Sequence, residues 1–289
     1  MKAPAGQVLN VVAGALIDAQ GRILIADRPP GKSFAGRWEF PGGKCQSGES
    51  TADALKRELA EEIGIEVTSA EPLMTVSHRY PGAATTVRIE CWRVDGWTGT
   101  PQPLDGQQLR WCTRDELAEA DILEADRAIV TALRLPRLFV RVAPDEPLDA
   151  RVAAAGDRDR AAWIVDRAPR DAALDARLAA RGDTVCVLDP QTPPRAGEAV
   201  VYSDPGRLAG PAAGLVGCLV ADAATAVAAV AAGAAFLLVR ERDLDGATFR
   251  AVAATGLPWY LNVVARSDSP APAATGTLWW KESPVRGDA

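Results

Sequence analysis

One histidine, His78, occurs in 289 residues. A metal centre built from several imidazoles is therefore excluded, and any Ser-His-Asp triad would have to run through His78. Its setting, TVSHRY, reads as a strand end and favours a structural or solvent role. The five cysteines (Cys45, Cys91, Cys112, Cys186 and Cys218) are odd in number, scattered, and form no C-x-x-C. They read as free thiols in a reducing cytoplasm. No apolar run approaches the roughly 18 to 20 residues of a membrane span. Val8 to Ile17, with Lys2 ahead, has the look of a signal-peptide core, but its charged start is thin. Asp18-Ala19-Gln20-Gly21 then turns the chain into another apolar run, so a β-hairpin is expected there. Nor is there an excess of positive charge. A net charge of −6 and a pI near 5.1 disfavour a nucleic-acid polymer as partner, because a phosphate backbone calls for a basic patch. A small phosphorylated substrate stays open, since a bound metal supplies positive charge locally. The expectation is a cytoplasmic protein with no membrane partner.

The chain is 48% hydrophobic and 24% charged, as expected of a globular protein with a sizeable core, and its length suggests two domains. Residues 8–17 and 22–26 read as strands. A Gly- and Pro-rich loop, RPPGKSFAGRWEFPGGK, follows. A helix is expected over Thr51–Ile63, with apolar Ala54, Leu55 and Leu59, a Ser50 cap and a Gly64 stop. Further strands are expected at 72–79, 86–96 and 108–113, and a helix from about Ala125 to Leu133 closes the unit. Hairpins dominate, which predicts a mixed sheet with flanking helices. Beyond Leu135-Pro136 the composition turns to alanine. Strand-like runs at 137–142, 161–166, 184–188, 199–202, 215–220, 235–240 and 258–264 alternate with helical stretches such as 171–181, 222–232 and 246–254. That rhythm predicts parallel β/α architecture, with a loose tail at Ser267–Ala274.

The chemistry concentrates in GKCQSGESTADALKRELAEEIGI, residues 43–65. Glu58, Glu61 and Glu62 are spaced i, i+3, i+4, so one helix face carries three carboxylates, which repel unless something positive sits on them. Such hard oxygen ligands suit Mg²⁺ or Mn²⁺, which use a few carboxylates plus water and substrate phosphate. Arg57 can reach Glu61 one turn on, and Glu49 if the loop folds back, which makes its role orienting. The competing reading is a solvated acidic helix with Arg57 as its internal salt bridge. The preceding WEFPGGK tips the balance, because Pro41-Gly42-Gly43 lets backbone approach an ion or phosphate closely.

The segment fits G-x5-E-x7-R-E-U-x-E-E-x-G-U, with U apolar, through Gly43, Glu49, Arg57, Glu58, Leu59, Glu61, Glu62, Gly64 and Ile65. In this it closely resembles the Nudix hydrolases. The resemblance covers residues 8 to about 134 and is closest to the MutT type, whose members hydrolyse nucleoside triphosphates, notably 8-oxo-dGTP, to the monophosphate and pyrophosphate. It implies an α/β/α sandwich and a metal held by Glu58, Glu61, Glu62 and the carbonyl of Gly42. It implies catalytic roles for Glu58, Arg57 and Glu61, with Glu58 the first choice of general base. It implies nucleotide contacts from Arg28, Glu39, Phe40, Pro41, Gly42 and Asp126. Three positions depart from the pattern. Asp126 stands where relatives often present an asparagine to the purine, and unless protonated it cannot donate a hydrogen bond. Arg110 replaces a further loop glutamate, leaving Asp105 as the nearest acid and a possible contributor of the base. Ser33 stands where some relatives carry a histidine near the phosphates. Trp38 and Phe34 read as core aromatics rather than substrate contacts.

Residues 137–289 resemble, at low specificity, the thiamine phosphate synthase/TenI family, best over GCLVADAATAVAAVAAGAAFLLVRE. The synthase's G-x-S-x-H turn corresponds to Gly217, Leu219 and Ala221, without its serine and histidine. The region is also shorter than the roughly 200 residues of a full eight-unit barrel. The expectation is a trimmed, non-catalytic barrel kept for small-ligand sensing, dimerisation or support. The leading functional expectation is Mg²⁺-dependent hydrolysis of free 8-oxo-dGTP in nucleotide-pool sanitation. The alternatives are hydrolysis of another diphosphate, such as a thiamine-pathway pyrophosphate or ADP-ribose, and a nucleotide sensor without turnover.

Overall fold

The computed structural model describes residues 7–136, 138–142, 147–154, 161–166, 172–190, 198–208, 215–240, 243, 245–255, 257, 259–262 and 277–282. The chain divides into two compact units, Met1–Arg134 and Leu135–Ala289.

The first unit contains β1 (Val8–Leu16), β2 (Ile23–Asp27), β3 (Trp38–Glu39), β4 (Gly42–Lys44), α1 (Thr51–Ile63), β5 (Glu66–His78), β6 (Thr86–Thr98), β7 (Leu109–Cys112), α2 (Arg114–Glu119) and α3 (Arg127–Arg134). Strand β1 pairs parallel with β6 and antiparallel with β4, giving a mixed sheet of order β4-β1-β6-β5. A second, antiparallel sheet has the order β3-β2-β7. Alternation along β1 explains the layering. Val12 and Leu16 face Ala54, Leu55, Leu59 and Ile63 of α1, whereas Ala13, Ala15 and Ile17 face the other way, onto the cluster holding Ile129 and Leu133 of α3. With helices on both faces, the unit is the expected α/β/α sandwich. Gly14 brings α1 close to β1, because an added Cβ would meet Leu59 Cδ1 at 3.0 Å.

Helix α1 begins and ends where the sequence places it. Ser50 accepts from the Asp53 amide, and Gly64 closes the helix in the left-handed region at φ 70°. The expected first hairpin does not form. The turn is present, with Asp18 N–H bonded to the Arg22 carbonyl, but pairing stops at a single Ile17–Ile23 bridge. Both edges of β1 are taken by β4 and β6, so β2 joins the other sheet. Strand β5 starts at Glu66 rather than 72 because register shifts around Ser69 and Pro72 break the alternation. The short α2 went unread despite its Thr113–Glu116 capping box. A 3₁₀ turn, Glu124–Asp126, occupies the expected start of the last helix.

The second unit corrects the expectation of a trimmed barrel. β8 (Leu138–Arg141), β9 (Ala161–Val165), β10 (Thr184–Leu188), β11 (Glu198–Tyr202), β12 (Val216–Val220), β13 (Phe236–Arg240), β14 (Trp259–Asn262) and β15 (Thr277–Glu282) form a closed parallel barrel, with β15 pairing back onto β8. Seven of these coincide with the expected runs, and the unexpected β15 completes the ring. The chain is shortened in its connections instead. Helices α4 (Leu148–Ala154), α5 (Ala172–Arg181), α6 (Ala223–Ala231) and α7 (Gly246–Ala254) flank the ring, whereas the described residues between β11 and β12 hold only a 3₁₀ turn, Pro205–Leu208. Ala162, Ile164, Cys186, Ala199, Val201, Phe236 and Leu238 form one cluster of barrel residues. Their neighbours Trp163, Val165, Val185, Cys218 and Val220 pack in the clusters that take in α4–α7. Gly217 gives Phe236 its place, since a Cβ there would lie 2.4 Å from the ring. The tail Ser267–Ala274 lies outside the described residues. Among the described residues no helix is long and apolar enough to cross a membrane.

Leu59 is fully buried beneath α1. Leu59→Ala is expected to destabilise the first unit by about 3 kcal/mol. Urea denaturation of the full chain, with hydrogen exchange at the α1 amides as the local readout, measures this; an effect below about 1 kcal/mol would contradict the packing described.

Candidate active site

The Nudix-like helix and its preceding loop meet through Arg57. Its guanidinium donates to both oxygens of Glu49 (2.8 and 2.9 Å), to Glu58 (2.9 Å), to Glu61 (3.2 Å) and to the Lys44 carbonyl (3.1 Å). The expected contacts to Glu61 and Glu49 are both present, and Glu58 is an addition. Hydrogen bonding to Arg57 holds the Glu49 carboxyl down at about 2, and Glu49 in turn favours the charged guanidinium. The clasp ties β4, the loop and α1 into one rigid piece.

Against that piece lie the other carboxylates. Glu62 accepts the Gly42 amide at 3.0 Å. Burial pushes its carboxyl up to about 7, and the charges of Glu39 and Glu58 add to the rise. Glu58 fits under the backbone of Gly43, where a Cβ would lie 2.3 Å from Glu58 Oε2. Gly42 is equally constrained, with φ 148° and a would-be Cβ 2.2 Å from the Val12 carbonyl oxygen. The Pro-Gly-Gly sequence is thus a cradle with no room for side chains. Glu61 faces solvent with its side chain 60% exposed.

A cavity of about 640 Å³ opens beside this cluster, lined by Gly42, Gly43 and Glu62 and also by Asp126. Arg28, Glu39 and Phe40 line it, as expected from the sequence. Arg28 pairs with Glu39 and donates to the Ser33 carbonyl. Burial nevertheless raises the Glu39 carboxyl, against the lowering effect of Arg28 and Lys32. Asp126 is 4% exposed, and burial, followed by the charge of Glu39, pushes its carboxyl up to about 8. At neutral pH it is therefore mostly protonated, and it presents both a donor and an acceptor. Pro41 is set apart from these residues. It is buried, lines only a smaller neighbouring hollow, and gives its carbonyl to the Gly14 amide.

Phe34 contradicts its reading as a core aromatic. It is 45% exposed, sits at φ 61°, stacks on Tyr80 with ring centroids 4.9 Å apart, and lines the cavity. Trp38 does pack against the core. His78 contacts Tyr80 edge-on at 4.5 Å, in keeping with a structural role. Lys32 and Tyr80 line the cavity without having been singled out in the sequence. A lysine in a Gly/Pro loop and a tyrosine at a strand end carry no motif, and only the fold brings them together.

Among the described residues no three His, Cys, Asp or Glu side chains form a ready-made metal cage. The donor set nonetheless fits a divalent cation. Mg²⁺ keeps several waters and needs only one or two carboxylates. Here a half-buried Glu62, whose charge its surroundings disfavour, lies beside Glu58 and a glycine cradle open to close approach.

Residues 12–132 match the family model described as the NUDIX domain. The chain is 38% identical over 126 residues to the CTP pyrophosphohydrolase of Escherichia coli K12, covering 44% of this chain and 91% of that protein. It is 33% identical over 127 residues to the 8-oxo-dGTP diphosphatase of Haemophilus influenzae, covering 44% and 92%. With the 8-oxo-dGTP diphosphatase of Proteus vulgaris it shares 44% identity over 79 residues, covering 27% and 70%. Through its N-terminal unit the chain belongs to the Nudix family, as a MutT-type pyrophosphohydrolase.

Proposed function

We propose that the first unit hydrolyses a free nucleoside triphosphate to the monophosphate and pyrophosphate with Mg²⁺, or Mn²⁺, and that 8-oxo-dGTP is its substrate. The observation that carries this reading is one cavity lined by Glu62 and the Gly42-Gly43 cradle and also by the buried Asp126, whose burial favours the protonated form. Glu58, Glu61, Glu62 and the Gly42 carbonyl would hold the ion. A bound divalent ion withdraws charge from phosphorus and eases loss of a proton from water. Glu58 takes that proton: Arg57 engages its Oε1, and Oε2 lies at Gly43. Arg57 orients the carboxylates, and Arg28, released from Glu39, meets the phosphates. Asp126 faces the base along with Glu39 and Phe40. As a neutral acid it offers the donor that an ionised aspartate lacks. Such an enzyme would clear oxidised precursors from the cytoplasmic nucleotide pool and so prevent mutation.

The E. coli relative's name makes CTP a second candidate, since a neutral carboxylic acid also pairs with the edge of cytosine. The barrel would serve ligand sensing, dimerisation or support rather than catalysis, in line with its TenI-like sequence. Release of hydrolysis products from 8-oxo-dGTP, dGTP, CTP, ADP-ribose and thiamine diphosphate in Mg²⁺, resolved by chromatography as monophosphate plus pyrophosphate, AMP plus ribose phosphate, or thiamine monophosphate plus orthophosphate, separates these readings. Preference for thiamine diphosphate would overturn the nucleotide assignment, and nucleotide binding without release would make the unit a sensor. Glu58→Gln is expected to lower kcat by about 10³-fold with the fold unchanged by circular dichroism; near-normal turnover would remove Glu58 from the mechanism.

Asp126 gives a pH signature. An acid whose folded value lies above its unfolded one holds its proton more tightly when folded, so stability falls as pH rises from about 4 towards 8. Asp126→Asn, which mimics the protonated acid, is expected to flatten the thermal midpoint across that window and to keep substrate affinity above pH 8, where the wild type loses it. Parallel profiles for the two proteins would count against a protonated Asp126.

A further inference from the structure

Two acids that line the cavity, Asp126 and Glu62, form no salt bridge among the described residues; burial favours the neutral form of Asp126, which leaves Glu62. Arg57 serves Glu49, Glu58 and Glu61, and Arg28 serves Glu39. The Glu62 carboxylate has the Gly42 amide, and the charge of Lys32 acts on it. Lys32 reaches over from the loop between β2 and β3 and bonds Asp105 of the loop before β7 at 2.6 Å, with Glu62 and Glu39 also near enough to hold its charge. Both partners are about half exposed, and a pair of that kind contributes little to stability. Its position is more telling. Lys32, Glu39 and Glu62 line both the 640 Å³ cavity and the small polar hollow that contains Asp105. An ammonium on a flexible four-carbon stem can therefore serve either side by rotation alone.

We infer that Lys32 is a stand-in cation, which neutralises the acidic hollow while the divalent ion is away and passes to the substrate's phosphates once the ion is bound. The inference rests on the metal reading above. Coulomb's law gives it direction. A divalent charge beside Glu62 repels the ammonium from the position where it is otherwise needed, and the phosphates it draws in offer that ammonium a stronger partner than Asp105. Lys32 is thus a positioning residue for the phosphate chain and a competitor of the metal.

The test titrates Mn²⁺ alone, followed by electron paramagnetic resonance, into the full-length wild type, Lys32→Met and Lys32→Arg. Lys32→Met is expected to take up Mn²⁺ about five- to tenfold more tightly than wild type, because a competing charge is gone. Lys32→Arg, which keeps the charge, should match wild type. Calorimetry with inorganic triphosphate at saturating Mn²⁺ is the second arm, and there Lys32→Met should bind about tenfold more weakly. Equal or weaker Mn²⁺ affinity in Lys32→Met, or unchanged triphosphate affinity, overturns the stand-in role and leaves the metal reading intact. Absence of Mn²⁺ uptake by all three proteins overturns both.

Discussion

The Arg57 clasp is the contact on which the site depends. One guanidinium fixes the loop after β4 to the second and third turns of α1, and it does so through carboxylates that would otherwise drive the two apart. Five donors in a rigid plane suit this task, and a lysine could not hold Glu49 with two parallel bonds while also reaching Glu58 and Glu61. With the loop fixed, Gly42 and Gly43 are pressed against β1 and Glu58, which shapes the cradle. The hydrophobic layer beneath α1 supplies the platform, because Leu55, Leu59 and Ile63 set the rotation of the helix and hence the side from which its acids project.

Legibility differed by kind of signal. Helix α1, its caps and its acidic face were readable because amphipathic spacing, Ser50 and Gly64 are local. Two partners of Arg57, Glu61 and Glu49, were readable for the same reason, lying one turn on or one folded-back loop away. A mixed sheet with flanking helices emerged from the rhythm, but strand partners did not, because Ile17–Ile23 looks like the start of a hairpin whichever sheet β2 joins. Phe34 was misread since an aromatic beside Gly-rich sequence gives no hint of a left-handed backbone that turns it outward. The contact of Lys32 with Asp105, 73 positions away, leaves no local trace at all.

The barrel shows how a length argument fails. A prior of about 200 residues assumes full-length helices between strands. The ring needs only the strands, here four to six residues each, and it closes once β15 is present. Economies fall in the connections, where the 3₁₀ turn after β11 shows what a shortened link looks like.

Two acids of the cavity meet the same electrostatic problem in different ways. A carboxylate removed from water must find a counter-charge or give up its own. Asp126, 4% exposed and beside the like charge of Glu39, is favoured in its neutral form, and a proton is what neutralises it. Glu62 is half-buried next to solvent-facing Glu61, and the charge of Lys32 acts on it. Burial thus sorts two acids of one cavity: Asp126 answers with a proton, and Glu62 keeps the charge of a lysine within range.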